Sequence, residues 1–310
     1  VSSIVRVAAA VILRPDGRVL LAQRPPGKPY EGYWEFPGGK LEPGETPAHA
    51  LARELHEELG LSVRRTAPWI VQEFVYAHAH VELHFFRVFD WDGEPHGHDG
   101  QAFAWQTPGA FDVAPLLPAN TRVLAALQLP TIYGISCASD IGEGAFLARA
   151  ESAFALGLRL VQVREKDWPA ARVADFALRV KALARSHGAK VLLNGEAHVA
   201  HELGLDGVHW TSVRLLEAKV RPDALLVAAS CHDALELARA ATLGCDFAVM
   251  GPVRPTPSHP GVRPLGWDGF AREIAGTRIP VYALGGLDSE DLTIAVDRGA
   301  HGLAMRRGAW

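Results

Sequence analysis

The sequence predicts two domains of different class, α+β over residues 1–129 and α/β over residues 130–310. Three observations predict this. At 310 residues the chain is too long for one ordinary domain. Its first part mixes strand-like apolar runs with one strong helix and shows no regular alternation. Its second part alternates eight short apolar runs with helical patterns, the spacing of a compact (β/α)8 barrel. The boundary falls near Gln128–Pro130, just past a short helix over Asn120–Leu127.

In the first part, residues 5–13 and 18–23 are apolar runs separated by Pro15-Asp16-Gly17, a hairpin signal. Ile70–Asp90 reads as a second, longer hairpin. Between them lies the helix of the stretch Gly39–Leu61. Thr46 suits its N-cap, Pro47 its first position and Gly60 its C-terminal cap. Ala48, Leu51, Ala52, Leu55 and Leu59 form its apolar stripe.

In the second part the predicted strands are Thr131–Ser136, Leu160–Arg164, Lys190–Asn194, Gly207–Trp210, Leu225–Ser230, Phe247–Val253, Pro280–Gly285 and Gly302–Arg306. Ala170–Ser186, Asp233–Leu243 and Asp288–Arg298 are helical in pattern. No internal sequence repeat accompanies the eight units.

Composition excludes several classes. Apolar residues make up 48% and charged residues 21%, a globular balance. No apolar run approaches the ~20 residues of a membrane span, and no signal peptide is recognised at the start. Cys137, Cys231 and Cys245 make no disulfide framework and no C-x-x-C pair, so a cytoplasmic setting is expected. Residues 1–129 carry 11 Lys+Arg against 15 Asp+Glu, and the remainder balances at 20 and 20. Neither part is a basic platform for polymeric nucleic acid.

The chemistry concentrates on one helix. Glu54, Glu57 and Glu58 stand at i, i+3 and i+4, with Arg53 beside them. Like charges at these spacings repel. A solvated acidic face is the commoner origin of such a cluster, but Mg²⁺ asks for several carboxylate oxygens and brings substrate phosphates with it. The wider pattern is Gly39, five residues, Glu45, seven residues, then Arg53-Glu54-Leu55-x-Glu57-Glu58-x-Gly60-Leu61. It matches the Nudix box at all nine defined positions over 23 residues.

Residues 3–129 therefore resemble the Nudix hydrolases. Trp34-Glu35-Phe36-Pro37-Gly38-Gly39-Lys40, Asp92-Gly93-Glu94-Pro95, Asp99-Gly100-Gln101 and Leu117-Pro118-Ala119-Asn120 resemble the MutT, 8-oxo-dGTP diphosphatase, branch. The resemblance implies a mixed sheet sandwiched by helices. It implies Mg²⁺, or Mn²⁺ in its place, carried by Glu54, Glu57 and Glu58 with the Gly38 carbonyl. Asp99 stands where the family has a further glutamate. Arg53 and Glu45 would orient the carboxylates, and Glu54 or Glu57 would take a proton from the attacking water. Attack at the β-phosphorus would release a nucleoside monophosphate and pyrophosphate. Asn120 resembles the amide that reads an oxidised purine, with a helix N-cap as its alternative role. Arg24, Phe36 and Tyr76 resemble sugar- or base-pocket positions, against ordinary hairpin and core roles. His78, His80, Glu82 and His84 alternate along a strand and read as an exposed sheet face.

In the second part, Gln162, Arg164 and Lys166 close one strand and Asn194-Gly195 closes the next. Gly207-Val208-His209, Ser230-Cys231-His232, Gly251-Pro252-Val253, Pro255-Thr256-Pro257-Ser258 and Gly285-Gly286 fall at later strand ends. These motifs resemble thiamine-phosphate synthase and its relative TenI, both TIM barrels. By that resemblance Gln162, Arg164, Lys166 and Asn194 are ligand contacts, and His232 is either the proton-transfer histidine of a TenI-type tautomerase or a contact in a non-catalytic ligand-binding barrel, with Gly286 a further candidate contact. The pattern departs where the synthase holds Mg²⁺: Gly195 and Arg214 replace aspartates, and His259 replaces a lysine. Synthase activity is therefore not expected, while Gly285-Gly286 and the backbone of Met305–Arg307 suit a phosphate.

The reading is a Mg²⁺-dependent nucleoside triphosphate pyrophosphohydrolase, sanitising 8-oxo-dGTP in the nucleotide pool, fused to a TenI-like barrel. Its partners are a small nucleotide and a phosphorylated ligand in the barrel, with no polymeric nucleic acid and no membrane. A homo-oligomer is left open. Two rivals stay open: a thiamine-pathway fusion whose Nudix half hydrolyses a pyrophosphorylated precursor or damaged cofactor, and a ligand-sensing scaffold.

Overall fold

A computed structural model describes residues 4–97, 101–256 and 261–310. Asp99, His98, Pro257, Ser258 and His259 lie outside the described residues. The chain divides into two compact units, Val1–Gln128 and Leu129–Trp310. No helix among the described residues is long and apolar enough to cross a membrane.

The first unit holds β1 (Val5–Ile12), β2 (Val19–Gln23), β3 (Trp34–Glu35), β4 (Gly38–Lys40), α1 (Pro47–Leu59), β5 (Ser62–Val75), β6 (His80–Asp92), β7 (Phe103–Gln106) and α2 (Thr121–Ala126). The larger sheet runs β4-β1-β6-β5, and the smaller runs β3-β2-β7. β1 and β6 are parallel while β4 and β5 join antiparallel, so the larger sheet is mixed. β1 is buried on both faces, which is why it reads as a continuous apolar run. Ala8, Ala10 and Ile12 pack with Leu51, Leu55 and Leu59 of α1. Ala9 and Val11 face the opposite layer, with Phe36, Ile70, Phe85, Val123 and Leu124. Truncating a leucine in such a layer, as in Leu55→Ala, costs about 2–5 kcal/mol.

Two local expectations are corrected. The turn at Pro15–Gly17 forms, with Gly17 at φ 83°, but it joins no hairpin ladder. After a single bridge between Leu13 and Val19 the strands enter different sheets. Both are apolar on both faces, so each is covered better by other partners than by a two-stranded ribbon. On α1 the buried residues are Ala50, Leu51, Leu55 and Leu59, whereas Ala48 and Ala52 are exposed. At about 100° per residue, this turns the buried sector toward Glu54 and Glu58 and leaves Glu57 at its outer edge.

The second unit is a closed barrel of eight parallel strands: β8 (Ile132–Ile135), β9 (Leu160–Val163), β10 (Lys190–Asn194), β11 (Gly207–Trp210), β12 (Leu226–Cys231), β13 (Phe247–Met250), β14 (Val281–Leu284) and β15 (Gly302–Met305). β15 closes on β8 through Leu303 opposite Ile132 and Met305 opposite Gly134. Tyr133, Leu160, Leu192, Phe247 and Tyr282 fill the interior, and a second apolar layer lies between strands and helices. The helix over Ala170–Ser186 forms as expected, and Asp233 caps Ala234–Leu243. The pattern over Asp288–Arg298 instead opens with a 3-10 turn, Ser289–Asp291, before the α-helix Leu292–Asp297. A capping box between Asp288 and Asp291 holds that tight first turn.

Candidate active site and barrel cavity

The loop before α1 brings backbone and carboxylate into contact. Gly38 lies at φ 143°, and a Cβ there would meet the Ala8 carbonyl oxygen at 2.1 Å. A Cβ on Gly39 would stand 2.1 Å from the carboxyl carbon of Glu54. Only glycine leaves that carboxylate its place. Thr46 accepts from the His49 amide and Gly60 closes the helix at φ 67°, so α1 holds its glutamates in fixed register.

Arg53 ties the acidic groups together. It donates to both oxygens of Glu45 (3.0 and 2.9 Å), to Glu54 (3.0 Å), to Glu57 (3.1 Å) and to the Lys40 carbonyl (3.0 Å). Its pKa is held above its ordinary value, first by Glu45, and Arg53 in turn holds the Glu45 carboxyl below the usual range. One guanidinium thus offsets the repulsion that the three-glutamate spacing creates.

Glu54 and Glu58 face a cavity of about 550 Å³ that Gly38 and Gly39 also line. Glu57 is more exposed, at 59% of its side chain, and does not line it. Among the described residues no three His, Cys, Asp or Glu side chains converge as a finished cation cage. The donors present are nevertheless hard oxygens, and the Gly39 cradle keeps one carboxylate against the backbone. That suits Mg²⁺, which is commonly bound by one or two carboxylates plus substrate phosphates. Where Asp99 would stand is outside the described residues.

The same cavity is lined by Arg24, Phe36, Tyr76 and Asn120. Asn120 is 2% exposed and its side chain makes no cap bond to α2. Its amide Nδ2 is buried with no hydrogen-bond partner among the described residues. An unpaired buried amide costs about 1–3 kcal/mol, so this group has an unmet demand for an acceptor. Phe36 packs edge-on against Phe85, 5.7 Å between centroids. Burial pushes the Tyr76 hydroxyl up to about 12. Arg24 is committed to Glu35, with Nη1 2.6 Å from each carboxylate oxygen, and to the Pro29 carbonyl at 2.7 Å. Burial pushes the Glu35 carboxyl up against the pull of Arg24.

Sequence reasoning missed Glu35, Lys28 and Tyr30 as cavity residues. Tyr30 takes φ 62°, rare for a bulky side chain, and its ring meets Tyr33 and Tyr76 at 5.2 and 5.1 Å. Such backbone strain clusters at binding sites, but no sequence pattern announces it. Of the alternating histidines, His80 and His84 lie on β6, 3.6 Å from Glu73 and 2.8 Å from Glu82, whereas His78 falls in the turn before β6, where it stacks on Tyr76 and lines the cavity.

The barrel has its own cavity of about 350 Å³, lined by Gln162, Arg164, His232 and Gly286 with Arg306 and Arg307. Lys166 and Asn194 do not line it. The Asn194 amide is turned to the His209 carbonyl at 3.2 Å, and Lys166 is exposed beyond the strand end. Gly286 is at φ 63°, and a Cβ would meet the Pro255 carbonyl oxygen at 2.5 Å. A buried chain crosses the floor. Gln162 Nε2 donates to the Tyr133 hydroxyl (3.1 Å), which meets His209 Nδ1 (3.1 Å), and His209 Nε2 meets Ser230 Oγ (2.9 Å). Burial and then Arg164 pull His209 down to about 3, so it stays neutral. His232 Nδ1 lies 3.0 Å from Glu236. Where metal carboxylates are expected, Gly195 has no side chain and Arg214 pairs with Glu196 at 3.2 Å.

Fold and cavities together define a mixed-sheet α+β domain with a glutamate-lined cavity, followed by a (β/α)8 barrel with a cavity of its own. The NUDIX domain model matches residues 4–127, and the thiamine monophosphate synthase model matches residues 132–309. The chain therefore belongs to the thiamine monophosphate synthase family in its second domain and to the Nudix family in its first. Among similar proteins, an 8-oxo-dGTP diphosphatase of Haemophilus influenzae is 37% identical over 124 residues, covering 40% of this chain and 91% of the relative. A CTP pyrophosphohydrolase of Escherichia coli is 40% identical over 130 residues, with coverages of 40% and 91%. A thiamine-phosphate synthase of Thermus thermophilus is 37% identical over 167 residues, with coverages of 53% and 80%.

Proposed function

We propose that the first domain is a divalent-metal-dependent nucleoside triphosphate pyrophosphohydrolase whose preferred substrate is 8-oxo-dGTP. The observation that carries this reading is one cavity lined by both kinds of group: Glu54 and Glu58 beside Gly38-Gly39, and the unpaired buried amide of Asn120. The first kind suits a polyphosphate and the second a base.

Glu54 and Glu58, which line the cavity, would hold Mg²⁺ or Mn²⁺ with the Gly38 carbonyl and with Glu57 turning in from the rim, and the ion would supply neutralisation of polyphosphate charge and a more acidic water. Glu54 or Glu57 accepts the proton of the attacking water, and Arg53 holds both carboxylates in place. The water oxygen bonds the β-phosphorus and the bond from that phosphorus to the α–β bridging oxygen breaks. The monophosphate leaves with the bridging oxygen, and pyrophosphate carries the water oxygen. Asn120 donates to an acceptor on the base, in the cavity that Phe36 and Tyr76 also line.

The CTP pyrophosphohydrolase relative favours a second reading, a pyrimidine triphosphate substrate. The fused barrel motivates a third, a pyrophosphorylated thiamine precursor. A screen with Mg²⁺ over 8-oxo-dGTP, dGTP, CTP and hydroxymethylpyrimidine diphosphate separates them, and ¹⁸O-water reports the attacked phosphorus. For the barrel, the reading is a site for a phosphorylated ligand without synthase activity, supported by Arg164, Gly286 and Arg306 at its cavity.

A further inference from the structure

We infer that the barrel binds a phosphate or diphosphate group at its cavity without a divalent cation, with Arg164 and Arg306 supplying the charge that Mg²⁺ would otherwise supply. This rests on the reading of the barrel as a phosphorylated-ligand site and adds how that site balances charge.

The cavity carries a surplus of cations. Arg164, Arg306 and Arg307 all line the cavity. The Arg164 guanidinium has no hydrogen bond or ion pair among the described residues. Arg306 donates to Asp140 at 2.9 Å and to Ser139 at 3.3 Å, while its Nε is buried without a partner. Arg307 shares that same Asp140 at 3.2 Å. One carboxylate therefore serves two arginines and none serves the third. The neighbouring acids are engaged elsewhere. Glu165 accepts from Ser136 Oγ (2.6 Å) and from the amides of Ala138 and Ser139 (2.9 Å each), and Glu236 is taken by His232. Burial and the Arg306 charge lower the Arg164 pKa, and Arg164 in turn lowers that of Lys166. Like charges held this close call for an anion among them.

The metal side is a deficit. Gly195 offers no ligand, and the one carboxylate next to it, Glu196, is bound to Arg214 at 3.2 Å. Among the described residues of the barrel no three acidic, His or Cys groups converge on a cation. A divalent ion here would add to an existing excess of positive charge. Arginine suits the replacement, because its planar fork bonds phosphate oxygens bidentately and keeps its charge at any working pH.

The test is calorimetric titration of the full chain with inorganic pyrophosphate, once in EDTA and once in Mg²⁺. The inference expects binding in EDTA that Arg164→Ala or Arg306→Ala weakens at least tenfold. Arg164→Lys should keep part of it and, with an unchanged melting curve, shows that the alanine effect is not misfolding. Binding that appears only in Mg²⁺ and is lost in Arg164→Ala would overturn metal independence while leaving the barrel a phosphate site. Binding in EDTA that neither alanine variant alters would overturn the assignment to this cavity. Binding in neither buffer would overturn both readings together.

Discussion

Gly39 and Glu54 are so closely apposed that a single methyl group on the glycine would stand 2.1 Å from the glutamate's carboxyl carbon. The helix places the acid and the loop leaves it room, so the two are one structural unit. Gly39→Ala should therefore push the Glu54 carboxylate aside without unfolding the domain. A displacement of about 1 Å at a reacting group can cost 10²-fold in rate. Steady-state hydrolysis should fall by about that factor, with far-UV circular dichroism unchanged.

Glu54→Gln and Glu57→Gln should each lower turnover by several orders of magnitude and leave the fold intact. Glu57 is largely exposed, and its ion pair with Arg53 is worth about 1 kcal/mol or less. Its melting temperature should accordingly change little. Single-turnover hydrolysis with Mg²⁺, beside thermal melts in EDTA, separates the two effects. Near-wild-type rates in both variants would remove the glutamates from the chemistry.

Asn120→Ala distinguishes base reading from capping. A cap residue replaced by alanine costs about 1 kcal/mol of stability. A ligand-facing amide with an unpaired Nδ2 costs none, and its loss shows in selectivity instead. The ratio of kcat/KM for 8-oxo-dGTP over dGTP should drop by the equivalent of about 1–3 kcal/mol, with no fall in melting temperature. A destabilised variant with an unchanged ratio would return Asn120 to a structural role.

His209 gives the barrel an acid-sensitive core. Its folded pKa of about 3 lies below the ordinary histidine value of 6.5. Between those values the unfolded chain takes up a proton that the folded chain refuses, so stability falls as pH drops from about 6.5 toward 3. Above 6.5 the contribution is fully present. His209→Gln removes this slope, and melts from pH 7 to pH 4 should be flatter in the variant than in the parent.

The full chain should not condense a pyrimidine diphosphate with a thiazole phosphate at a useful rate. Gly195 has no side chain to hold Mg²⁺, and Glu196 is committed to Arg214. Product assay with both substrates and Mg²⁺ checks this. Robust thiamine phosphate formation would show that other groups replace the missing carboxylates.

What could be read in the sequence was local. Thr46, Pro47 and Gly60 announce α1 because capping is decided within a few residues. The eight barrel strands are legible because each is a short apolar run between helical patterns. The hairpin at Pro15–Gly17 misled because turn chemistry says nothing of which sheet each strand joins. Tyr30, the Arg24–Glu35 pair and the shared partner Asp140 were hidden for the same reason. Each depends on side chains distant in sequence meeting in space, or on backbone strain that composition does not record. The turn of the Asn194 amide toward the His209 carbonyl was hidden likewise, because motif position alone does not show which way a strand-end side chain turns.

One cavity is lined by both the glutamates of α1 and the unpaired Asn120 amide, and the proposed function needs both. Parallel measurement of kcat/KM for 8-oxo-dGTP, dGTP and CTP in Mg²⁺, on the parent chain and on Glu54→Gln, tests it most directly. Hydrolysis should give monophosphate and pyrophosphate, with 8-oxo-dGTP at least tenfold ahead of the other two and all three activities lost together in the variant. Equal efficiencies across the three nucleotides, or activity that survives Glu54→Gln, would contradict it.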